Sequence, residues 1–367
     1  MALTQEELEQ RRKLQTDKVI DTDVHPLLRS MEDLYEYFDD TWKDFFRASK
    51  VSGISGQPFQ IPVGGGLRMD SFPPEGGPPG SSPEFMRTQL LDEHSISHAI
   101  LFLSSGYQIS SLPQEKWATA LASACNDFLI DKWLSVDSRY KGSVLVAAQD
   151  PQAAAQEIDR VGSHPGMVQV GLGIHSPMRG YGDKMYDPIW EAAERNNLVV
   201  CFHVSVATGL YKNNSTGPTQ NFPEFQSTHN QTFQGQMASM IFGGVFEKFP
   251  QLKVAFIEGG FAWVPHMMFT MDTHWKAARR EVPWVKKYPS EYVREHFWFG
   301  TQPIIKPAQP KHLLQLIEMI GEDRMIFASD YPHWEFDSPQ TALNHLPKEM
   351  RGKILFENAK KMYGFED

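Results

Sequence analysis

Short apolar runs rich in β-branched and aromatic residues recur along the chain, and segments with helical periodicity separate them. Runs that are apolar on both faces are typical of parallel strands covered by helices. Eight alternations of this kind predict an α/β protein built as one (β/α)8 TIM barrel, in preference to a doubly wound sheet. The predicted strands span residues 19–24, 98–103, 143–148, 167–174, 198–204, 253–257, 297–299 and 325–328.

Two connections between predicted strands are too long for simple barrel loops. Residues 52–84 contain a triple glycine and a stretch rich in proline and glycine, and residues 205–228 are rich in Gly, Asn, Ser, Thr and Pro. Low-complexity segments can be disordered linkers. Both follow strands, however, which places them at the carboxyl-terminal face where barrel active sites form. We therefore expect ordered insertions in a single barrel domain, residues 19–367, preceded by a helical or frayed arm, residues 1–18.

Charge and cysteine content narrow the classes of partner. The 367 residues carry a net charge of −10, which argues against nucleic acid or an anionic membrane. A small anionic substrate stays compatible, because a bound metal reverses the local charge. The two cysteines supply neither a disulfide framework nor a cysteine zinc site, so we expect a cytoplasmic protein. No apolar run approaches the roughly 18 residues that span a membrane, and the first residues are too charged for a signal peptide.

Several predicted strands end in a histidine or a carboxylate. Asp23 and His25 lie two positions apart on the first strand, so their side chains project from one face and can converge on a divalent cation. Each such residue alone is more often a capping or loop residue. Their recurrence predicts a metal-dependent site, because a buried carboxylate is costly unless it is paired or metal-bound. The later strands contribute His203, Glu258, Asp330 and His333.

These residues lie in motifs that resemble the amidohydrolase superfamily. Within it, the chain is similar to the branch that contains aminocarboxymuconate-semialdehyde decarboxylase and related aromatic acid decarboxylases. The resemblance extends over residues 19–363 and implies a metal-dependent barrel enzyme. The motifs are Val-Ile-Asp-Thr-Asp-Val-His-Pro, Tyr-Asp-Pro-Ile-Trp-Glu-Ala-Ala, Cys-Phe-His, Gly-Gly-Val-Phe-Glu-Lys-Phe-Pro-Gln-Leu-Lys-Val and Ala-Ser-Asp-Tyr-Pro-His-Trp.

The resemblance implies one divalent metal, bound by Asp23, His25, His203 and Asp330. Asp23 stands at the first position of the family's H-x-H motif, where related decarboxylases also carry a carboxylate. Zn²⁺ is the first expectation and Mn²⁺ the alternative, since carboxylate oxygens mixed with imidazole nitrogens do not choose between the two ions. With four protein ligands at most, one coordination position is left for water or substrate.

Glu258 departs from the family pattern. The semialdehyde decarboxylase has a histidine there, which is thought to carry a proton. We expect Glu258 to take that role, and a metal ligand or a structural carboxylate are the alternatives. Asp330 and His229, at the start of a predicted helical stretch over residues 228–249, are further catalytic candidates. The main prediction is non-oxidative decarboxylation of an aromatic or unsaturated carboxylic acid; the alternatives are hydrolysis of a lactone, an amide or a C–C bond, and a non-catalytic binding protein.

Three residues are candidates for substrate binding. Arg68, in the first insertion, offers a cation to a substrate carboxylate, although an exposed loop charge is an equally good interpretation. Trp263 offers an aromatic surface but also fits a packing role, and His333 lies just beyond Asp330. We expect a small anionic substrate and a homo-oligomer, either a dimer or a tetramer. The histidines of predicted helices are expected to be structural: His266, His274 and His296.

Overall fold

A computed structural model describes residues 18–51, 53, 66–104, 106–205 and 219–366. Eight parallel strands follow one another in sequence order around a single sheet, which confirms the predicted TIM barrel. Each strand pairs with its neighbours along the chain, as expected when every crossover carries a helix. The strands are β1 (Val19–Val24), β2 (Ile96–Leu101), β3 (Tyr140–Leu145), β4 (Met167–Gly173), β5 (Val199–His203), β6 (Val254–Ile257), β7 (Phe297–Gly300) and β8 (Met325–Ile326).

The barrel closes between β1 and the segment that follows β8. The N–H of Thr22 donates to the carbonyl of Phe327 at 3.0 Å. Higher up, the N–H of His25 donates to the carbonyl of Tyr331 at 2.7 Å. Closure therefore brings the end of the first strand beside the end of the last one, although about 300 residues separate them in the chain.

Helices cover the outside of the barrel. The α-helices are α1 (Asp40–Ser49), α2 (Pro83–Met86), α3 (Glu115–Leu129), α4 (Pro151–Val161), α5 (Asp187–Arg195), α6 (Phe222–Thr228), α7 (Asn230–Phe242), α8 (Val245–Lys248), α9 (Val264–Ala278), α10 (Pro289–His296), α11 (Pro310–Ile320), α12 (Lys348–Gly352) and α13 (Asn358–Tyr363). Shorter 3-10 helices span Met31–Tyr37, Met69–Ser71, Gly106–Ser111, Lys184–Tyr186 and Glu322–Arg324, and π-helical segments span Arg87–Asp92, Ile130–Leu134 and Lys353–Glu357. Within the described part of the chain, every helix is too short or too polar to cross a membrane.

Aromatic side chains fill the layer between the sheet and its helices. Phe202 of β5 packs against Trp190 of α5, with ring centroids 6.1 Å apart. Phe256 of β6 packs against Phe233 of α7 at 5.2 Å. These rings are fully buried, and each stabilises the fold by about 1.5–3 kcal/mol through the apolar area removed from water. The bulky residues thus point outward, and the alternate positions of the same strands point into the barrel.

The strands β2, β3 and β8 differ from the predicted ones by two residues or more at an end. β2 and β3 begin two and three residues earlier than predicted, and β8 ends two residues earlier. Phe102 and Val146 are buried, as their apolar character indicates, but they lie beyond the paired residues where the chain turns into the mouth loops. Polar Ser97 belongs to β2, and its hydroxyl donates to the carbonyl of Val19 at 2.8 Å. Apolar character therefore indicates which residues are buried, whereas backbone hydrogen bonds between strands decide which residues belong to a strand.

The two insertions are only partly described. Residues 1–17, 52, 54–65 and 206–218 lie outside the described residues, as does most of the predicted arm. The predicted helical stretch over residues 228–249 is helical for most of its length, but it is divided between the end of α6, α7 and α8. α6 begins earlier, at Phe222, where the side chain of Asn221 caps the N–H of Glu224. Gly244, with φ of +73°, separates α7 from α8 because a left-handed backbone turns the chain there.

Candidate metal centre

Four predicted ligand side chains meet at the carboxyl-terminal end of the barrel. Asp23 on β1 and His25, the residue after that strand ends, point to the same side, and Asp23 Oδ1 lies 3.1 Å from His25 Nε2. His203 enters from β5, and its Nε2 atom lies 3.3 Å from His25 Nε2 and 3.4 Å from Asp23 Oδ1. Asp330, just after β8, brings its Oδ1 atom to 3.3 Å from His25 Nε2. All four side chains are buried.

The backbone fixes the orientation of both imidazoles. His25 Nδ1 lies 3.0 Å from the carbonyl of Phe102, and His203 Nδ1 lies 2.7 Å from the carbonyl of Val204. A carbonyl oxygen only accepts hydrogen bonds, so each Nδ1 carries the proton. In the neutral ring, the Nε2 atom then carries a lone pair, which points into the cluster.

Lone pairs facing one another are repulsive unless a cation lies among them. Neither carboxylate oxygen of Asp23 accepts a hydrogen bond from a described residue, although the side chain is only 1% exposed. A buried carboxylate without donors is costly. A divalent cation would satisfy Asp23 and both Nε2 atoms together, because carboxylate oxygen and neutral imidazole nitrogen are its usual ligands. The residues present therefore fit the metal that the sequence implies.

Glu258 lies at the same cluster. Its Oε2 atom is 3.3 Å from His203 Nε2, so its carboxylate is near enough to be a further ligand or to exchange protons beside the metal. Both Glu258 and Asp330 have a left-handed backbone, with φ of +57° and +62°. For residues other than glycine this conformation costs about 1–3 kcal/mol and is concentrated at functional sites. The strained turns begin where β6 and β8 end and aim both carboxylates at the cluster.

The pKa values of Glu258 and Asp330 are shifted in opposite directions. Burial raises the pKa of Glu258 well above its usual value, and the negative charges of Asp330 and Asp23 raise it further. Burial alone would also raise the pKa of Asp330, but the imidazoles of His333 and His25 lower it below its ordinary value. Neighbouring carboxyl groups with opposite shifts are typical of sites where one holds a proton and the other is ionised.

Two further side chains, those of Gln302 and His333, contact the carboxylate of Asp330. Gln302, immediately after β7, donates from Nε2 to Asp330 Oδ2 at 3.1 Å and is fully buried. His333 brings its Nδ1 atom to 2.5 Å from Asp330 Oδ1, and its ring centroid lies 4.8 Å from that of His25. The structure thus places His333 beside the ligands. Gln302 was not predicted, because an amide after a strand carries no distinctive sequence signal.

Arg68 lies in the first insertion with its charge already paired. Its Nε and Nη2 atoms donate to the two carboxylate oxygens of Asp70 at 2.9 and 2.6 Å. The guanidinium also lies over the ring of Phe336, 4.4 Å from its centroid. The remaining Nη1 atom is buried and donates to no atom in the described part of the chain. Arg68 is therefore neither a freely exposed loop charge nor an unpaired cation.

Trp263 and His229 contact the backbone of the turn that carries Glu258. The indole N–H of Trp263 donates to the carbonyl of Gly259 at 2.9 Å, and its ring is 8% exposed among core aromatics. His229 lies between two carbonyls, at 3.1 Å from that of Phe225 and 2.9 Å from that of Glu258. Burial lowers the pKa of His229. These contacts fix the backbone of the strand-six turn, and neither side chain is brought to the ligand cluster.

Tyr107 contacts the cluster, and His175 follows a neighbouring strand; neither residue was predicted. Tyr107, in the 3-10 helix after β2, stacks on His203 with centroids 4.8 Å apart and ring planes 14° apart. His175, just after β4, has its Nδ1 atom 2.9 Å from the hydroxyl of Ser205. His175 could have been found from the sequence, because it lies just after a strand, as the predicted metal ligands do.

Helix α6 reaches across the mouth of the barrel. Gln226 donates from Nε2 to Glu335 Oε2 at 2.7 Å. Phe222 packs against Trp334 with ring centroids 5.8 Å apart. Because Glu335 and Trp334 follow β8, these contacts join the second insertion to the loop beside Asp330. They support the prediction that the insertions cover the site.

The chain matches one protein-family model and resembles several known proteins in sequence. The sequence model described as "Amidohydrolase" matches residues 20–365. The γ-resorcylate decarboxylase of Polaromonas sp. strain JS666 is 26% identical over 296 residues, which cover 76% of this chain and 86% of that protein. The 2-amino-3-carboxymuconate-6-semialdehyde decarboxylase of Dictyostelium discoideum is 27% identical over 222 residues, 60% of this chain and 58% of that protein.

Solved structures confirm the fold. The crystal structure of dihydroxybenzoic acid decarboxylase from Polaromonas sp. JS666, with bound manganese and the inhibitor 2-nitroresorcinol, superposes with a TM-score of 0.64 at 19% identity. The match covers 95% of this chain and 97% of that one. The likeness in sequence and fold confirms the predicted superfamily, and the similar proteins support decarboxylation as the main prediction. With the family model spanning nearly its whole length, the chain belongs to the amidohydrolase family and is an enzyme of that superfamily.

Proposed function

We propose that this enzyme is a metal-dependent lyase that releases CO₂ from an aromatic carboxylic acid without oxidation. The observation that carries the proposal is the cluster of inward-facing ligand atoms from Asp23, His25, His203 and Asp330, with Glu258 beside it. Relatives that resemble the chain in sequence are named γ-resorcylate decarboxylase and 2-amino-3-carboxymuconate-6-semialdehyde decarboxylase. The proposal therefore has two grounds: the similarity to these decarboxylases, and a site in which a candidate proton carrier lies next to the metal position.

The bound ion is proposed to be divalent, with Mn²⁺ at least as suitable as Zn²⁺. Asp23 and Asp330 would supply two carboxylates beside two imidazoles, and hard oxygen ligands suit Mn²⁺. A similar solved structure holds manganese. When bound, the metal supplies positive charge that holds an anionic substrate and stabilises charge developed during the reaction.

The side chains of the protein would then transfer one proton to the substrate. A group with a raised pKa can carry a proton at neutral pH, and Glu258 is such a group. In the proposed reaction Glu258 donates its proton to the ring carbon that bears the carboxyl group. The bond between that carbon and the carboxyl carbon then breaks, its electron pair restores the aromatic ring, and CO₂ leaves. Glu258 regains a proton from solvent, while His333 and Gln302 keep Asp330 oriented.

Hydrolysis is the second candidate, and one observation favours it. Glu258 offers a carboxylate within 3.3 Å of His203 Nε2, where the resemblance implies a histidine in the semialdehyde decarboxylase. A carboxylate in this place could act as a general base that takes a proton from an attacking water. A lactone or an amide would then be the substrate.

Product analysis separates the two reactions. The purified enzyme, supplied with Mn²⁺ or Zn²⁺, would be incubated with a panel of hydroxybenzoates and, separately, with aromatic lactones and amides. We expect CO₂ and the matching phenol from at least one hydroxybenzoate, and no acid from the lactones. The control is the same enzyme stripped with a chelator. Acid release from lactones or amides without any CO₂ would replace the proposal by the hydrolase alternative.

Arg68 is proposed to bind the substrate carboxylate through its Nη1 atom, while Asp70 holds the rest of the guanidinium. If so, Arg68→Met lowers kcat/KM by an amount that corresponds to about 2–4 kcal/mol of transition-state stabilisation. The reason is that the substrate anion loses its partner in a partly desolvated site. Steady-state kinetics on the best acid of the panel gives this value. Arg47→Met is the matched control, since Arg47 lies on α1 over the ring of Tyr35. An unchanged kcat/KM in Arg68→Met would make Arg68 a structural partner of Asp70.

The remaining expectations concern the setting of the reaction. We propose a cytoplasmic enzyme because Cys125 and Cys201 are both free and buried, which fits a reducing compartment. The predicted small anionic substrate follows from the proposed reaction. The homo-oligomer, a dimer or a tetramer, also stays a proposal, and light scattering of the purified protein measures it directly.

A further inference from the structure

A buried carboxyl group on β1 takes no part in the proposed reaction. Asp21 is fully buried and lies two residues before Asp23 on the same strand. Its Oδ2 atom accepts no hydrogen bond from the described residues. Burying a carboxyl group with an unpartnered oxygen is costly. A contribution to the stability of the fold therefore does not by itself explain an aspartate at this position.

The other oxygen of Asp21 accepts hydrogen bonds from two backbone N–H groups. The N–H of Asp23 donates to Oδ1 at 3.2 Å, and the N–H of Ser329 donates to the same atom at 2.9 Å. The ladder between β1 and β2 is irregular between Asp21 and Val24. The side chain of Asp21 thus binds an N–H group in the stretch where the pairing of the two strands shifts. Irregularities of this kind redirect side chains and are common beside active sites.

The contact with Ser329 holds the turn that carries Asp330. Asp330 has a left-handed backbone, which persists in a residue other than glycine only where the surrounding structure fixes it. Two consecutive N–H groups of this turn bind to β1. The N–H of Ser329 donates to the Asp21 carboxylate, and the N–H of Asp330 donates to the carbonyl of Asp23 at 3.1 Å. A single oxygen atom of Asp21 therefore links the backbone of one predicted carboxylate ligand to the residue before the other.

We propose that Asp21 is a positioning residue that sets the placement of Asp23 relative to Asp330, and thereby the affinity of the site for a divalent cation. This inference rests on the metal centre of the proposed function. Asp21 acts through the backbone of its two partners, and replacing a residue that supports a metal ligand typically weakens metal affinity by about 10–100-fold. The role requires an acceptor atom at Oδ1 and does not require a negative charge.

Metal affinity tests this role without requiring turnover. Mn²⁺ and Zn²⁺ would be titrated separately into the metal-free enzyme in competition with a fluorescent chelator. In Asp21→Leu, which keeps the branching of the side chain but has no acceptor, we expect the Kd of both ions to rise by about 10–100-fold. In Asp21→Asn, whose amide oxygen can accept the same two N–H groups, the Kd should stay within about threefold of the wild type.

Thr22→Val is the matched control for a general weakening of barrel closure. The hydroxyl of Thr22 donates to the carbonyl of Phe327 at 2.7 Å, so it joins the same two segments of the chain. This hydrogen bond reaches neither a predicted ligand nor the residue before Asp330. Thr22→Val should therefore lower the Tm of the metal-free protein, because it loses a buried hydrogen bond, while the Kd of both ions stays within about threefold of the wild type.

Three results would overturn the role of Asp21. The first is an unchanged metal Kd in Asp21→Leu with only the Tm lowered, which would make Asp21 a structural residue. The second is a folded Asp21→Asn whose Kd rises by about tenfold or more, because the charge and not the acceptor would then matter; this result is decisive even if Asp21→Leu does not fold. The third is a Thr22→Val that weakens metal binding as much as Asp21→Leu does.

The wild-type titration separates this inference from the proposed function. A wild type that binds neither ion would overturn the metal centre and the role of Asp21 together. A wild type that binds either ion, with any of the three results above, would overturn the role of Asp21 alone.

Discussion

Replacing Glu258 by glutamine is expected to lower kcat by about 10²–10⁴-fold, the usual contribution of a general acid or base. Glutamine keeps the size and most of the hydrogen bonding of the side chain but cannot carry the proton. The carboxyl group lies 3.3 Å from His203 Nε2, and burial raises its pKa well above the usual value. Its loss should therefore affect the chemical step more than binding, so KM should change little. Steady-state kinetics on the best hydroxybenzoate measures both parameters.

Metal analysis decides which role Glu258 has. As a proton carrier it can be replaced with metal content and Tm nearly unchanged. As a ligand, its replacement should lower both, and Glu258 would then join Asp23, His25, His203 and Asp330 at the metal. A matched control is Glu157→Gln, another buried carboxylate, which lies on α4 and accepts from Asn126 and Arg160. A Glu258→Gln enzyme with full kcat and full metal would disprove the proposed mechanism.

Replacing His203 by alanine is expected to abolish most metal binding and most activity while the fold is largely kept. His203 contributes a lone pair at the centre of the cluster, 3.3–3.4 Å from three other ligand atoms. Loss of a residue that merely supports a ligand weakens metal affinity by about 10–100-fold, and loss of the ligand itself should weaken it more. Elemental analysis should find about one metal per chain in the wild type and less than about a tenth of that in the variant.

Thermal unfolding gives a second measure of the same site. A metal present at about 100 times its Kd stabilises the folded state by about 2.7 kcal/mol, so a chelator should lower the Tm of the wild type. The Tm of His203→Ala should not respond to the chelator. His296→Ala is the control, since it removes a buried histidine outside the mouth and should retain the metal. Full metal occupancy in an Asp23→Ala/His203→Ala double variant would refute the proposed ligand set.

Local patterns predicted much of this protein. Alternating apolar runs indicated eight buried strands, and period-two geometry placed Asp23 and His25 on one face. Those inferences succeeded because each depends on residues a few positions apart, where backbone geometry alone sets the direction of the side chains. The same reasoning failed at the start of α6 and at the ends of β2, β3 and β8. Hydrogen bonding, and not hydrophobicity, decides where those elements begin and end.

Side chains that act through distant partners were beyond the sequence. Nothing in the local pattern showed that a ring nitrogen of His229 would face the carbonyl of Glu258, 29 residues further along the chain. Gln302 lies in an ordinary Thr-Gln-Pro segment, and its contact with Asp330 exists only because β7 and β8 are neighbours in the barrel. Such partners are set by the closing of the sheet, which joins strand ends from all parts of the chain.

The sequence by itself determined the barrel, the family and the residue types of the metal cluster, because strand periodicity and family motifs are local. Only the tertiary structure decided that Glu258 meets His203, and that Gln302 meets Asp330. The left-handed turns at Glu258 and Asp330 aim both carboxylates inward, and their cost is borne by the packing around them. Direction and distance between strand ends depend on register and closure, which no short stretch of sequence encodes.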